Sequence, residues 1–226
     1  MAKLTVVGLG PGRAGLITRE VWECMQKAEH LVLRTKIHPT VAAIDAAGIR
    51  YATYDSWYDQ AEDFGTLYES IARDLIGRAA GGEEIVYAVP GSPLVAERTV
   101  VLLRELAKGH ADVELTILPG MSFVEVMYTA LGIDPVDGIT ILDAGDVDTF
   151  HEAPAQRLII TQIWNRGIAS DTKLQLMDLY GDEYEVTYIH ALATEEESIR
   201  RIPLYELDRQ ADIDYLTTLF VAKKGK

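Results

Sequence analysis

The chain has 226 residues, and its 35 Asp and Glu against 21 Lys and Arg give a formal net charge of −14 at pH 7. This charge repels phosphate backbones, so nucleic acid is not an expected partner and a small-molecule ligand is favoured. Cys24 is the single cysteine and excludes an internal disulfide. Because we find neither a secretion signal nor an apolar run of the roughly 18 to 20 residues that cross a bilayer, we expect a cytoplasmic protein.

The first half of the chain is predicted to alternate short apolar strands with amphipathic helices. Strands are expected at 4–7, 30–34, 49–54, 85–89 and 113–118, and helices at 16–28, at 64–80 and after residue 94. This alternation indicates a largely parallel sheet with helices on both faces.

The second half is predicted to contain more strand than helix. Strands are expected at 139–142, 158–163, 184–190 and 216–222, and helices at 172–180 and 205–209. The predicted fold class is therefore α/β with two domains, an N-terminal domain over 1–119 and a C-terminal domain with a mixed sheet over 120–226.

Three of the predicted parallel strands end in turns rich in glycine and proline. These turns are VGLGPG at 7–12, VPGSPL at 89–94 and LPGMSF at 118–123. Because ligands of parallel sheets bind at the carboxyl ends of the strands, the three turns indicate a binding site at one edge of the sheet.

The first turn also matches the dinucleotide pattern GxGxxG at 10–15, between a strand and a helix. Two features argue against a dinucleotide site and an NAD-linked oxidoreductase. The second strand ends in Arg34-Thr35-Lys36, where an acidic residue should bind the ribose, and Pro11 lacks the N–H that would face a phosphate. A Walker loop is excluded because no Gly-Lys-Ser/Thr follows.

In their order and spacing, the three turns resemble the tetrapyrrole (corrin/porphyrin) methylase family. The resemblance continues through LGIDP at 131–135, the strand at 158–163 and ALAT at 191–194. It implies two α/β domains with S-adenosylmethionine (SAM) in the cleft between them. It also implies a homodimer and a methyltransferase with a small-molecule acceptor, of which a tetrapyrrole is one candidate.

Within the family, LRTKIHP at 33–39 and YAVPGSPLVAE at 87–97 resemble the methylase-like N-terminal half of MazG-type fusion proteins. In those proteins a nucleotide pyrophosphohydrolase module follows, so the chain is expected to be a domain of a longer protein. The alternative function is therefore a non-catalytic SAM- or nucleotide-sensing domain that regulates a fused pyrophosphohydrolase.

The resemblance implies an acceptor-side loop and a set of cofactor-binding residues, but no catalytic base. The acceptor-side loop is Gly8, Gly10, Pro11, Gly12 and Arg13, and the cofactor residues are Pro90, Gly91, Ser92, Pro93, Leu94, Ser122, Phe123, Gln162, Leu192, Ala193 and Thr194.

Several of these residues also have a purely local explanation. Ser92 and Pro93 suit the N-cap and first position of a helix. The stretches SFVE at 122–125 and TEEE at 194–197 match capping boxes, and the second predicts a solvated helix start.

Two residues depart from the family pattern. Arg13 stands where an aspartate often follows Gly-Pro-Gly, and Ser92 replaces the aspartate of Gly-Asp-Pro. The loss of two carboxylates favours the sensing alternative. Arg13 is expected either to bind an anionic acceptor or to face solvent at a helix start.

Two further groups of residues have side chains that could form a site. The five histidines and Cys24 lack metal-ligand spacing, so no metal is expected. An aromatic group is expected to line an acceptor groove or to form core and subunit interface. Its members are Tyr51, Tyr54, Trp57, Tyr58, Phe64 and Tyr68.

Overall fold

A computed structural model of the protein describes residues 2–224. The chain divides after Val126 into two compact units, and each unit contains a five-stranded sheet. Met1, Gly225 and Lys226, which the predicted domains 1–119 and 120–226 include, lie outside the described residues.

The first unit alternates strands and helices as the sequence predicts. Its strands are β1 (Ala2–Gly8), β2 (His30–Leu33), β3 (Ala52–Thr53), β4 (Ile85–Val89) and β5 (Val113–Ile117). Its helices are α1 (Arg19–Lys27), α2 (Val41–Ala46), α3 (Asp55–Gln60), α4 (Phe64–Ala80) and α5 (Arg98–Ala107). All neighbouring strands are parallel, in the order β3-β2-β4-β1-β5, which confirms the predicted parallel sheet.

Both faces of this sheet are covered, because alternate residues of each strand enter different core clusters. Leu4 and Tyr87 pack with α4 and α5 on one face, whereas Val7 and Ala88 pack with α1 and α2 on the other. All four residues are fully buried. Burial on both faces explains why β4 is a continuous apolar run.

Two elements of the first unit are shorter than predicted. A short 3-10 helix occupies Ala14–Leu16, and α1 begins only at Arg19, where the Thr18 side chain accepts a hydrogen bond from the Val21 N–H at 3.2 Å. The strand expected at 49–54 pairs with β2 only at Ala52–Thr53, at the edge of the sheet.

The prediction that Ser92 caps a helix is wrong. Helix α5 begins at Arg98, and its N-cap is Glu97, whose carboxylate accepts from the Thr99 N–H at 3.2 Å. Glu97 thus supplies the cap that Ser92 was expected to provide. Residues 90–97 form a loop that contains a turn at 93–94.

The second unit contains a mixed sheet. Its elements are β6 (Ile139–Asp143), β7 (Arg157–Thr161), α7 (Arg166–Tyr180), β8 (Glu185–His190), β9 (Ser198–Pro203) and β10 (Thr217–Val221), and α6 (Phe123–Leu131) crosses the division of the chain. The strand order is β6-β7-β10-β8-β9, with β6 and β7 parallel and the other neighbours antiparallel. The predicted mixed sheet is confirmed, with β9 as an additional edge strand.

The core of the second unit lies between its sheet and α7. Leu158, Tyr188 and Leu219 come from three neighbouring strands and pack against Leu176 of the helix. The helix expected at 205–209 is a 3-10 helix, Leu204–Arg209, on the same core. No helix within residues 2–224 is both long and apolar enough to cross a membrane.

Candidate functional site

Three loops of the first unit meet at the carboxyl edge of the parallel sheet. Strands β4, β1 and β5 are neighbours, and the loops that follow them are the three glycine- and proline-rich turns. The Gly10 N–H donates to the Gly91 carbonyl at 3.2 Å, and the Gly91 N–H donates to the Gly10 carbonyl at 2.9 Å. The expected convergence of the turns is therefore present.

Close backbone contact explains two of the glycines. A Cβ added to Gly8 would lie 2.3 Å from the Gly91 carbonyl oxygen, and one added to Gly120 would lie 3.3 Å from the Gly8 Cα. A side chain at position 8 would collide with the opposing backbone, and one at position 120 would be crowded against it. The three loops therefore form one backbone-lined surface.

Gly91 differs from these two glycines because open space lies in front of it. Its φ of +67° is left-handed, and a Cβ there would meet no atom within 4 Å. Nearby, Pro93 is buried, Leu94 is 60% exposed, and Pro90 and Ser92 are half-buried. Ala96 also has a left-handed φ, +54°. An exposed loop with strained backbone is typical of a functional site.

Thr40, in the segment that follows β2, forms hydrogen bonds with the acceptor-side loop. The hydroxyl of Thr40, a fully buried residue, lies 3.1 Å from the Leu9 carbonyl oxygen and 2.9 Å from that of Gly12. His38 accepts from the Thr40 N–H on Nδ1 at 3.4 Å, and its ring also bonds to the backbone of Gly10. Burial is the main cause that lowers the His38 pKa to about 4, so the ring is neutral at pH 7.

The rest of the acceptor-side loop is less enclosed. Pro11 is half-buried, Gly12 is buried, and Arg13 is exposed. Within residues 2–224 no ion pair involves Arg13. Arg13 precedes the short 3-10 helix rather than an α-helix, and its side chain is available to solvent or to a ligand.

Arg34, the residue that follows β2, forms an ion pair with the buried carboxylate of Glu97. Arg34 Nη1 donates to Glu97 Oε2 at 2.6 Å, and the Glu97 side chain is only 2% exposed. A cation therefore occupies the place where a dinucleotide site needs an acid, which agrees with the argument against NAD. The two partners are 63 positions apart in the sequence, which explains why sequence analysis missed this pair.

Ser122 forms hydrogen bonds that stabilise the start of α6. Its N–H donates to the Glu125 carboxylate at 2.8 Å, its hydroxyl donates to the same carboxylate, and the Val124 N–H donates to that hydroxyl at 3.1 Å. The bond from the Ser122 N–H to the Glu125 carboxylate is the one that the capping box at 122–125 predicts, and the Ser122 hydroxyl accepts from the Val124 N–H. Ser122 is 1% exposed, whereas Phe123 is half-buried.

In the second unit, the candidate cofactor residues have unusual backbone angles. Gln162 follows β7 with φ +63°, and Ala193 follows β8 with φ +67°. Ala191 is also left-handed, at +50°. Non-glycine residues rarely adopt these angles, and they cluster at functional sites when the surrounding structure enforces them. Gln162 is exposed, while Leu192 and Ala193 are buried.

The helix start predicted at 194–197 is wrong. The Thr194 hydroxyl donates to the Ala191 carbonyl at 2.7 Å, and the Ala193 N–H donates to the Glu197 carboxylate at 2.8 Å. These bonds close a turn that leads directly into β9, so the chain reverses direction instead of starting a helix.

Sequence analysis missed two further features at the same edge of the second sheet. His190, the last residue of β8, has its Nε2 3.0 Å from Asp214 Oδ1. The exposed rings of Trp164 and Tyr215 stack with centroids 6.1 Å apart. The antiparallel pairing of β10 with β7 and β8 brings these residues to one edge of the sheet. They could not be predicted from the sequence because their proximity depends on the strand order.

Most of the aromatic group is core. Tyr54 is 4% exposed, and Trp57 and Tyr58 pack against the α4 side of the sheet. Phe64 is 52% exposed and stacks on Tyr68 at 6.2 Å. Tyr51 packs on the opposite face, and its hydroxyl donates to Asp45 at 2.9 Å.

Across residues 2–224 no group of three or more His, Cys, Asp and Glu side chains is arranged to hold a metal ion. The parallel sheet with its converging loops and the separate mixed sheet define an α/β protein with a candidate ligand site built from backbone. The chain belongs to the family Tetrapyrrole (Corrin/Porphyrin) Methylases, whose model matches residues 3–208.

One curated relative is the uncharacterized protein YabN of Bacillus subtilis (strain 168). It is 37% identical over 219 residues, which cover 97% of this chain and 44% of YabN. The chain thus spans less than half the length of this relative.

Solved structures share the fold at low sequence identity. A uroporphyrin-III C-methyltransferase from Thermus thermophilus is 20% identical, with a TM-score of 0.73 over 98% of this chain and 92% of that chain. The methyltransferase CobJ is 17% identical, with a TM-score of 0.74 over 99% and 95% of the two chains. A Thermus thermophilus enzyme of the first kind, solved with S-adenyl homocysteine, is 16% identical, with a TM-score of 0.68 over 97% and 92%.

Proposed function

We propose that the protein is a SAM-dependent methyltransferase of the tetrapyrrole methylase type with a small-molecule acceptor. The observation that carries this proposal is the convergence of Gly8, Gly91 and Gly120 at the carboxyl edge of the parallel sheet. Membership of the family and the methyltransferases among the structural neighbours support it. The acceptor is a further proposal, with a tetrapyrrole as the first candidate to test.

The loops of the first unit fit a cofactor without phosphate. SAM supplies an electrophilic methyl group on its sulfonium. Pro11 removes an N–H from the first loop, and open space lies in front of the Gly91 backbone, so close approach is favoured over anion binding. We assign cofactor contacts to Pro90–Leu94, Ser122 and Phe123, and acceptor contacts to Gly8–Arg13.

In the second unit we assign cofactor contacts to Gln162 and to Leu192, Ala193 and Thr194. The left-handed angles of Gln162 and Ala193 support this assignment. Methyl transfer needs little covalent assistance, and orienting the reactants can supply effective molarities on the order of 10⁵ M or more. The main task of these residues is therefore to position the reactants and to exclude water.

The direct test is calorimetric titration with SAM and S-adenosylhomocysteine. We expect both to bind the wild-type chain and Gly91→Ala to weaken binding by at least about tenfold, because a methyl group would fill the open space. Gly48→Ala is the matched control, since Gly48 has φ +68° and equally open surroundings but lies after α2. If neither compound binds the wild type, the methyltransferase proposal fails.

The second candidate is a non-catalytic SAM- or nucleotide-sensing domain that regulates a fused MazG-type pyrophosphohydrolase. Arg13 and Ser92, at positions where the family pattern has carboxylates, favour it. Turnover of uroporphyrinogen III or another tetrapyrrole acceptor would rule it out, whereas cofactor binding without turnover of any acceptor would favour it.

We also propose a cytoplasmic homodimer. The exposed Phe64 begins α4 and stacks on Tyr68 one turn later, and it offers apolar surface for such a contact. Light scattering after size-exclusion chromatography tests the state, and a monomer at high micromolar concentration would refute it.

A further inference from the structure

The backbone and the side chain of Arg34 bond to opposite ends of the loop at 90–97. Its N–H donates to the carbonyl of Ala88, two residues before the loop begins, at 2.8 Å. Its Nη1 donates to the carboxylate of Glu97, the last residue of the loop, at 2.6 Å. A single residue that follows β2 therefore connects the two ends of a loop from a distant part of the sequence.

The Glu97 carboxylate forms bonds through both of its oxygens. Oε2 accepts from Arg34, and Oε1 accepts from the Thr99 N–H at 3.2 Å as the N-cap of α5. Burial lowers the pKa of Arg34 and the Glu97 charge raises it, with a net rise, so the guanidinium is charged at every physiological pH. Charge-assisted bonds of this kind are short and strong. Glu97 thus joins the end of the loop both to the residue after β2 and to α5.

The ion pair of Arg34 and Glu97 is shielded from water. The Glu97 side chain is only 2% exposed, and that of Arg34 is 25% exposed. The centroid of the Tyr58 ring lies 6.0 Å from Arg34 Cζ, and the fully buried Tyr87 of β4 is close enough to feel the charges of both partners. Because water and salt screen buried charges weakly, this pair restrains the loop more firmly than a surface pair would.

The backbone of the loop at 90–97 has a conformation that its surroundings must enforce. Ala96, directly before Glu97, has a left-handed φ of +54°, which a residue other than glycine adopts only when the structure around it requires it. Near its start, the loop is bonded to Gly10 through Gly91. Near its end, the two bonds of the Glu97 carboxylate fix the residue that follows Ala96. The ion pair therefore acts on the strained end of the loop.

We propose that Arg34 and Glu97 are positioning residues that keep the loop at 90–97 in the conformation that binds SAM. Both act through the loop and not by contact with the cofactor. This inference rests on the proposed function and deepens it, because the contacts assigned to Pro90–Leu94 lie in this loop. A loop that is ordered before binding loses less conformational entropy when the ligand binds, so the ion pair raises the affinity for the cofactor.

The test compares the wild type with the double variant Arg34→Met/Glu97→Gln. Methionine keeps an unbranched apolar side chain at position 34, and glutamine keeps an oxygen that can accept from the Thr99 N–H, so the cap of α5 is retained. Replacing both members leaves no buried unpaired carboxylate, and buried ion pairs exchanged for neutral residues often leave stability unchanged. Thermal unfolding is expected to show a folded protein of near wild-type stability.

The matched control is Lys173→Met/Asp208→Asn. Lys173 Nζ lies 2.6 Å from Asp208 Oδ2, and the two side chains are 16% and 19% exposed, so this pair is also largely buried. It connects α7 to the 3-10 helix Leu204–Arg209 in the second unit, and neither element is assigned to a ligand. The control therefore shows whether the loss of any buried ion pair changes binding.

Two quantities are measured, hydrogen exchange of the loop at 90–97 without ligand and the affinity for S-adenosylhomocysteine by calorimetric titration. In Arg34→Met/Glu97→Gln we expect the loop to exchange faster and the ligand to bind at least about tenfold more weakly. The control double variant should equal the wild type in both. A purely structural pair would change the unfolding temperature without changing either quantity in the folded protein. Unchanged affinity or unchanged loop exchange in Arg34→Met/Glu97→Gln overturns the proposal.

Arg34→Lys is the conservative variant. It keeps a cation opposite Glu97 but not the planar guanidinium, so its loop exchange and its affinity should lie between those of the wild type and of Arg34→Met/Glu97→Gln. If that double variant does not fold, Arg34→Lys decides the question, and values equal to those of the wild type overturn the proposal. A wild-type chain that does not bind S-adenosylhomocysteine refutes the proposed function together with this inference, whereas equal binding by wild type and variants refutes the inference alone.

Discussion

The carbonyl oxygen of Gly91 lies so close to Gly8 that a Cβ at position 8 would come within 2.3 Å of it. No real Cβ tolerates this distance, and the opposing atom is backbone that cannot rotate away. Gly8→Ala is therefore expected to cost on the order of 2 to 4 kcal/mol of unfolding free energy and to displace the loop at 90–97.

Urea denaturation measures this cost. Gly15→Ala is the control, since Gly15 lies in the short 3-10 helix and a Cβ there meets no atom within 4 Å. Equal stability of the two variants would contradict the close packing of the loops.

Thr40 is expected to stabilise the acceptor-side loop through its hydroxyl. Thr40→Val keeps the shape but leaves the Leu9 and Gly12 carbonyls without this donor, so it should cost about 1 to 2 kcal/mol. Thr172→Val is the matched control, because the buried Thr172 hydroxyl has no partner in the described structure and its removal should leave stability unchanged or raise it. A control as damaging as Thr40→Val would show that the effect comes from the residue change itself.

His38 should make stability depend on pH. Burial, the largest cause, lowers its pKa from 6.5 to about 4, so between these values the unfolded chain binds a proton that the folded chain does not. The free energy of unfolding should consequently fall as the pH decreases from 6.5 to 4. His38→Gln removes the titrating group, and its stability should fall less over the same range. Parallel denaturation curves at several pH values test this, and identical slopes for the two proteins would exclude the buried neutral ring.

Gln162 is expected to lower the stability of the fold and to strengthen cofactor binding. Gln162→Gly relieves the cost of a left-handed φ of +63°, and after the entropy of glycine is subtracted the gain should be about 1 kcal/mol. The same variant should bind S-adenosylhomocysteine more weakly, because the side chain is a proposed contact. A loss of stability would contradict the strained backbone. Gln162→Asn, which tolerates this region, should show an intermediate result.

Much of the first unit could be predicted because local patterns and sheet geometry agree. The boundaries of β4 and α4 match the predicted ranges, and the parallel arrangement follows from the alternation of strands and helices. The meeting of the three loops follows as well, since parallel strands place their carboxyl ends at one edge.

The rest depends on contacts between distant residues. Strand β9 is an edge strand with exposed Ile199 and Arg201, so it lacks the apolar run that marks a strand in sequence. The pairing of Arg34 with Glu97 is invisible to local patterns. The left-handed angles of Gln162 and Ala193 run against the preferences of these residue types, so only tertiary structure could reveal them.

The mutual hydrogen bonds between Gly10 and Gly91 have a consequence for engineering and for natural variation in chain length. Because the N–H and carbonyl groups of Gly10 and Gly91 bond to each other, the loop after β1 and the loop after β4 form one structural unit. An insertion or deletion between Gly8 and Gly10 would leave both Gly91 polar groups without their partners. Grafting a new specificity onto this scaffold therefore requires both loops to be exchanged together.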